Sequence, residues 1–404
     1  MPEKLAIDGG AVTFTGSWPK WPIFDSLEEE KIIEAVRSGK WWYVGATKVL
    51  EFEKAFQQLH SAKYATAVTN GSHAIEVALR ALGIGCGDEA IVPAYTFVAT
   101  ASSVLAVSAT PVFVDIQRAT LNIDPDKIEA AITDRTRAII PVHIGGSPAD
   151  LDRILEIAKK HDLFVIEDAA QAVCAEWKGV PVGAIGDCGT FSFQASKNLN
   201  CGEGGVVISN NEDLADKIWS VTNVGRTRHG KKYEQPILGS NYRMTEFQAA
   251  ILLAQMTRLE EQCKTRSKNA MRLTQLLQDI NGIHPIIPDS RVTRSAYHLF
   301  CFRYEASSFG ERSREEFIRA LIAEGIPADD GYSPLYREDV FQFPDSTCKS
   351  DCSRTVGAYI EQCPETEDAC STVVWIPQYV LLAKPEDMNS IGVAIQKIQA
   401  AWAP

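Results

Sequence analysis

Residues 189–205 read Gly189-Thr190-Phe191-Ser192-Phe193-Gln194-Ala195-Ser196-Lys197-Asn198-Leu199-Asn200-Cys201-Gly202-Glu203-Gly204-Gly205. The runs Thr190 to Phe193 and Val206 to Ser209 have the composition of strands, and the glycine-bearing polar turn between them holds one lysine. Upstream, Leu163 to Asp168 reads as a buried strand that ends in an acid. Further out the same rhythm repeats. Ala65 to Val68, Ala90 to Pro93, Thr110 to Asp115 and Ala138 to His143 read as strands, and His73 to Leu82 and Ala149 to Lys160 as helices. Strand and helix in alternation predict an α/β fold with a mostly parallel sheet.

Ligands of such sheets bind outside the carboxyl ends of the strands. Ser72, Phe97, His143 and Asp168 all fall at such ends. An acid there can hold a protonated ring nitrogen, and a lysine on a neighbouring turn can form a Schiff base. That pairing is how proteins handle pyridoxal phosphate. A lysine of ordinary pKa, about 10.4, is no nucleophile at neutral pH. It must be desolvated or set beside another cation. The turn Asn70-Gly71-Ser72 opens a helix, where backbone N–H groups, the helix dipole and the Ser72 hydroxyl suit a phosphate. Phe97 is placed to stack on a flat ring, and it equally suits a core.

The chain has 404 residues, enough for two domains. Its 45% hydrophobic and 23% charged content is that of a soluble globular protein. A formal net charge of -12 argues against nucleic acid and anionic membrane surfaces as partners. No apolar run reaches the roughly 20 residues that span a bilayer. Met1 to Gly10 lacks the basic-then-apolar pattern of a signal peptide, so a cytoplasmic protein is expected. The ten cysteines are scattered. Cys348 with Cys352, and Cys363 with Cys370, are near enough for a metal clip, but free thiols and no metal are the expectation.

Residues 1–25 form an arm whose Trp18-Pro19-Lys20-Trp21-Pro22 run forbids a helix and needs cover from the body or a partner subunit. Ser26 and the acids after it start a helix that ends near Ser38. Trp41-Trp42-Tyr43 is an aromatic cluster, either core or lining. Arg226 to Lys232 is a basic loop, either solvated or facing an anionic substrate. A long helix from Thr245 to about Leu277 links the halves, and Ala296 to Tyr304, Arg314 to Gly325 and Ile391 to Trp402 suggest a smaller α+β unit. The expected division is an arm over 1–25, a large α/β domain over 26–265 and a small C-terminal domain over 266–404.

Six stretches together resemble the DegT/StrS family of pyridoxal-phosphate-dependent aminotransferases. They are Thr69 to Ala74, Val92 to Phe97, Val165 to Gln171, Phe191 to Asn198, Gly202 to Gly205 and Asn241 to Glu246. The resemblance implies the type I fold, like aspartate aminotransferase, and a homodimer with shared active sites. It makes Lys197 the Schiff-base residue and proton shuttle, Asp168 the partner of the pyridine nitrogen and Gln171 the neighbour of the ring hydroxyl. Phe97 would stack on the ring. Gly71, Ser72 and Ser192 would hold the phosphate, and Asn241 the phosphate of the neighbouring subunit. Arg243 is a candidate for the amino donor's carboxylate, with Trp42 and Tyr43 as further substrate residues. The implied reaction is ping-pong transfer from L-glutamate or L-glutamine to a keto-sugar or keto-cyclitol. Motifs are shared with 3-amino-5-hydroxybenzoate synthases and with glutamine:scyllo-inosose aminotransferases, and a nucleotide-sugar acceptor stays open. Dehydratases of the family carry histidine where Lys197 stands, which speaks against that reaction. A regulator that keeps the cofactor without turnover is a third reading.

Overall fold

In the computed structural model, residues 3–42, 45, 47–228, 230–231, 233–342 and 362–402 are described. The apolar runs become a seven-stranded sheet. Its strands are β1 (Tyr64–Val68), β2 (Glu89–Pro93), β3 (Thr110–Val114), β4 (Thr136–Ile139), β5 (Phe164–Asp168), β6 (Cys188–Ser192) and β7 (Gly205–Ser209), in the order β1-β7-β6-β5-β4-β2-β3. From β3 to β6 every pairing is parallel, whereas β7 runs antiparallel to both β6 and β1. Buried on both faces, these strands need no polar alternation, which is why Ile91-Val92 and Val165-Ile166 are continuous apolar pairs.

The antiparallel turn from β6 to β7 is the lysine stretch. Its base is tied by Phe193 N to Gly204 O at 2.8 Å and Cys201 N to Phe193 O at 3.0 Å. At Gly205 a side chain would meet Asn70 O at 2.4 Å, so β7 lies directly against the turn that starts the next helix. That helix runs Gly71–Ala81, two residues earlier than the sequence suggests, because Asn70 caps it by accepting from His73 N at 2.8 Å. Gly71 and Ser72 thus sit in its first turn.

The helix Ser26–Arg37 is likewise capped one residue upstream of Ser26. The Asp25 carboxylate accepts from Leu27 N at 2.8 Å, and Glu28 reaches back to Asp25 N at 3.0 Å. The helix Lys48–Leu59 lacks a side-chain cap of its own. Glu246 supplies one from afar, accepting from Thr47 N, Lys48 N and Val49 N at 3.0, 2.9 and 2.8 Å.

The long helix Glu246–Leu277 spans two hydrophobic clusters. Ala249, Leu252 and Cys263 pack with Phe52, Phe56 and Phe193, while Ala270, Leu273 and Leu277 pack with Phe302, Phe317 and Ile395. The second cluster lies under a three-stranded antiparallel sheet of Ile283–Pro285, Leu299–Tyr304 and Val373–Pro377, beside the helices Arg314–Ala323 and Met388–Trp402.

The N-terminal arm packs on the body. Buried Glu324 accepts from Ala6 N (2.8 Å), Thr13 N (3.0 Å), Thr13 Oγ1 (2.6 Å) and Lys397 Nζ (2.9 Å). Trp18 stacks on Phe14 and donates to Gly325 O at 2.7 Å; Trp21 donates to Ala195 O at 2.9 Å. Among the described residues Cys174, Cys188, Cys201, Cys263, Cys301, Cys363 and Cys370 are free thiols, no acid, histidine or cysteine cluster could hold a metal, and no helix is long and apolar enough to cross a membrane. Cys348 and Cys352 lie outside the described residues.

Candidate active site

A cavity of about 1520 Å³ opens at the carboxyl ends of β2, β5 and β6, and its far wall is the segment 325–332 with the strand Val373–Pro377. Asp168, the last residue of β5, lines it and is buried. Its carboxylate accepts from Thr100 Oγ1 at 2.8 Å and from Ala170 N at 3.1 Å. Burial pushes the carboxyl pKa above its usual range; the two hydrogen bonds and the positive charge of Lys197 oppose the rise. No cation pairs with it directly among the described residues.

Lys197 lines the same cavity. Burial brings its ammonium down to about 8, against a smaller upward pull from the Asp168 carboxylate. The amine is therefore partly unprotonated near neutral pH, as a nucleophile requires.

The first turn of the helix Gly71–Ala81 forms another wall, together with Ser192 at the end of β6. A side chain at Gly71 would sit 2.7 Å from Ser192 Cβ, so only glycine lets this helix start come so near the strand. Phe97 lines the cavity with 55% of its surface exposed, 6.5 Å from the Tyr332 ring. An exposed aromatic in a cavity is poised to cover a flat ligand. Gln171 is buried, with Oε1 taking Gly145 N at 2.7 Å and Nε2 donating to Tyr332 OH at 2.8 Å. An amine, a buried unpaired carboxylate, an anion-cradling helix start and a bare aromatic face fit a flat phosphorylated ring with a protonated nitrogen.

His143 does not belong to this set. It sits at a strand end, but its Nε2 meets Glu167 at 3.2 Å and its Nδ1 accepts from Ala149 N at 3.1 Å, so both ring nitrogens are used inside the fold. Asn241, Arg243 and Trp42 are not in the cavity lining of one chain. Arg243 lies over the Trp42 ring at 5.8 Å, and Trp42 is 52% exposed. Tyr43 lies outside the described residues, as do His229 and Lys232 of the basic loop. In that loop Arg228 pairs with Asp216 at 2.9 Å and lies over Trp219.

Sequence reasoning missed several lining residues. Thr100, which holds Asp168, comes from the helix Ala99–Ala106, and an ordinary helical threonine carries no signal. His298, Tyr332 and Trp375 come from the small sheet and its approaches. Trp375 Nε1 donates to Tyr95 OH at 3.2 Å, joining the two halves behind the cavity. Trp21 and Pro22 of the arm also reach it.

Comparison with known proteins agrees with this geometry. The chain is 36% identical over 380 residues to 3-amino-5-hydroxybenzoate synthase of Amycolatopsis mediterranei, covering 94% of this chain and 96% of that one. It is 35% identical over 422 residues to L-glutamine:2-deoxy-scyllo-inosose aminotransferase of Streptomyces fradiae, covering 98% of each. The crystal structure of a 3-amino-5-hydroxybenzoic acid synthase superposes with a TM-score of 0.89 at 35% identity, covering 95% of this chain and 98% of that one. Residues 24–396 match the model of the DegT/DnrJ/EryC1/StrS aminotransferase family. The chain belongs to that family and is an aminotransferase.

Proposed function

We propose that this enzyme moves an amino group from L-glutamate or L-glutamine to a keto-cyclitol or keto-sugar by a ping-pong cycle with pyridoxal phosphate. The observation that carries the reading is that the desolvated Lys197 amine and the buried Asp168 carboxylate line one cavity. The bound cofactor supplies an electrophilic carbonyl and an electron sink. Asp168 holds its ring nitrogen protonated. Gly71, Ser72 and Ser192 would hold the phosphate, and Gln171 and Phe97 would hold the ring. Nζ of Lys197 takes the proton from the donor's α-carbon and returns it, serving as general base and then acid.

Within the same proposal the site is completed by a second copy of the chain, whose Asn241 reaches the phosphate and whose Arg243 binds the donor's carboxylate, with Trp42 near the substrate. The arm, residues 26–265 and residues 266–404 act as arm, large domain and small domain. Their work is biosynthesis of an aminocyclitol or amino sugar in the cytoplasm. The cavity wall carries Glu76, Glu203 and Asp329 and, among the described residues, no arginine.

Purified enzyme with pyridoxal phosphate and L-glutamate should yield 2-oxoglutarate and pyridoxamine phosphate. Lys197→Ala should yield neither, and should lose the visible absorbance of the lysine-bound cofactor. Full activity in that variant would end the reading. A second reading, a synthase that also aromatises its product, is favoured by the likeness to 3-amino-5-hydroxybenzoate synthase. Ultraviolet analysis of the product separates the two.

A further inference from the structure

Asn198 is buried next to the lysine. Its Nδ2 donates to Ala296 O at 2.7 Å, and a carbonyl only accepts, so that atom is the amide nitrogen. Oδ1 therefore faces His298 Nδ1, at 3.1 Å. An amide oxygen also only accepts, so Nδ1 carries the imidazole proton and Nε2 carries a lone pair. A second proton is denied first by burial, then by the positive charges of Lys197 and Arg266, which hold the His298 pKa well below its usual value. Arg266 is itself buried. Gln378 Oε1 takes its Nε and Nη2 at 2.9 and 2.6 Å, and the Trp21 ring lies 5.3 Å from its guanidinium carbon. His298 is thus a neutral imidazole of one fixed tautomer. Its ring lines the cavity, and Nε2 has no protein partner among the described residues. A lone pair facing the cavity can take a donor from the ligand.

We propose that Nε2 of His298 is a fixed acceptor for a ring hydroxyl of the amino acceptor, and that it selects hydroxylated cyclic ketones over bare ones. The proposal rests on the aminotransferase reading, but its first test does not. In holoenzyme labelled with ¹⁵N-histidine, His298 should show a protonated Nδ1 and a bare Nε2 at neutral pH. The Nε2 signal should move when 2-deoxy-scyllo-inosose is added in large excess and stay in place with cyclohexanone. A protonated Nε2, or a signal that ignores the inosose, overturns the proposal. The second test compares half-reactions. His298→Phe should lower kcat/KM for 2-deoxy-scyllo-inosose about a hundredfold, at least tenfold more than it slows the step with L-glutamate. His298→Gln, which restores an acceptor oxygen, should recover part of the loss. Equal losses in the two half-reactions would make His298 a merely structural residue. If wild-type enzyme converts neither L-glutamate nor L-glutamine, the proposed function falls instead, and the NMR result still judges His298.

Discussion

At the scale of single residues, the site sets two groups against their ordinary chemistry. Burial lowers Lys197 to about 8 and raises Asp168. For an amine lowered in this way, the neutral fraction grows as pH rises through the folded value, reaching about a tenth at pH 7 and about nine-tenths at pH 9. Capture of pyridoxal phosphate by cofactor-free protein should therefore quicken about tenfold from pH 6 to 7 and level off above about pH 9, by rapid-mixing absorbance. A profile still climbing to pH 10 would mean that the amine is not desolvated. Thr100→Val removes a hydrogen bond that favours ionised Asp168. The carboxyl should be pushed further up, and kcat/KM should drop about tenfold from loss of a hydrogen bond to a charged group, with Thr100→Ser restoring it. Lys197 and Asp168 were legible from sequence because their chemistry has few other uses at a strand end. Thr100 and His298 were not, since a threonine in a helix and a histidine before a strand acquire meaning only from residues folded against them.

At the scale of elements, the sequence located strands and helices within a few residues, and the few residues mattered. Moving the helix start from His73 to Gly71 turns two turn residues into the first turn of a helix that walls the cavity. Gly71→Ala would press a methyl to within 2.7 Å of Ser192 Cβ. It should weaken pyridoxal phosphate retention about tenfold, read by equilibrium titration, while the far-ultraviolet spectrum stays native. Glu246 closes the motif that begins at Asn241, yet its task is invisible in the sequence, because the helix that it caps lies almost two hundred residues earlier in the chain. Glu246→Ala strands three backbone donors and should cost about 3 kcal/mol in urea unfolding. Glu246→Gln, which keeps one acceptor oxygen, should cost less.

At the scale of the whole molecule, the α/β body was legible because buried parallel strands declare themselves as apolar runs. The small sheet's share of the cavity was not, since Tyr332 and Trp375 reach the site only once residues far apart in sequence are folded together. Shared active sites can be tested by mixing. Lys197→Ala and Asn241→Ala chains, each inactive alone, should recover about a quarter of wild-type activity when unfolded and refolded together, because half the dimers would own one complete site. No recovery would place Asn241 outside the partner's site. The cavity's two sides are also built differently. The sheet contributes Asp168 and Lys197 from a strand end and a tied turn; the arm, through Trp21 bonded to that turn, and the segment around Asp329 and Tyr332 close the rest. A saturation library confined to Ala328 and Asp329, sparing Trp21 and Tyr332 that bond the lysine turn and Gln171, should retarget the enzyme to new ketones with its reaction with glutamate largely kept, which makes this scaffold a starting point for biocatalyst evolution.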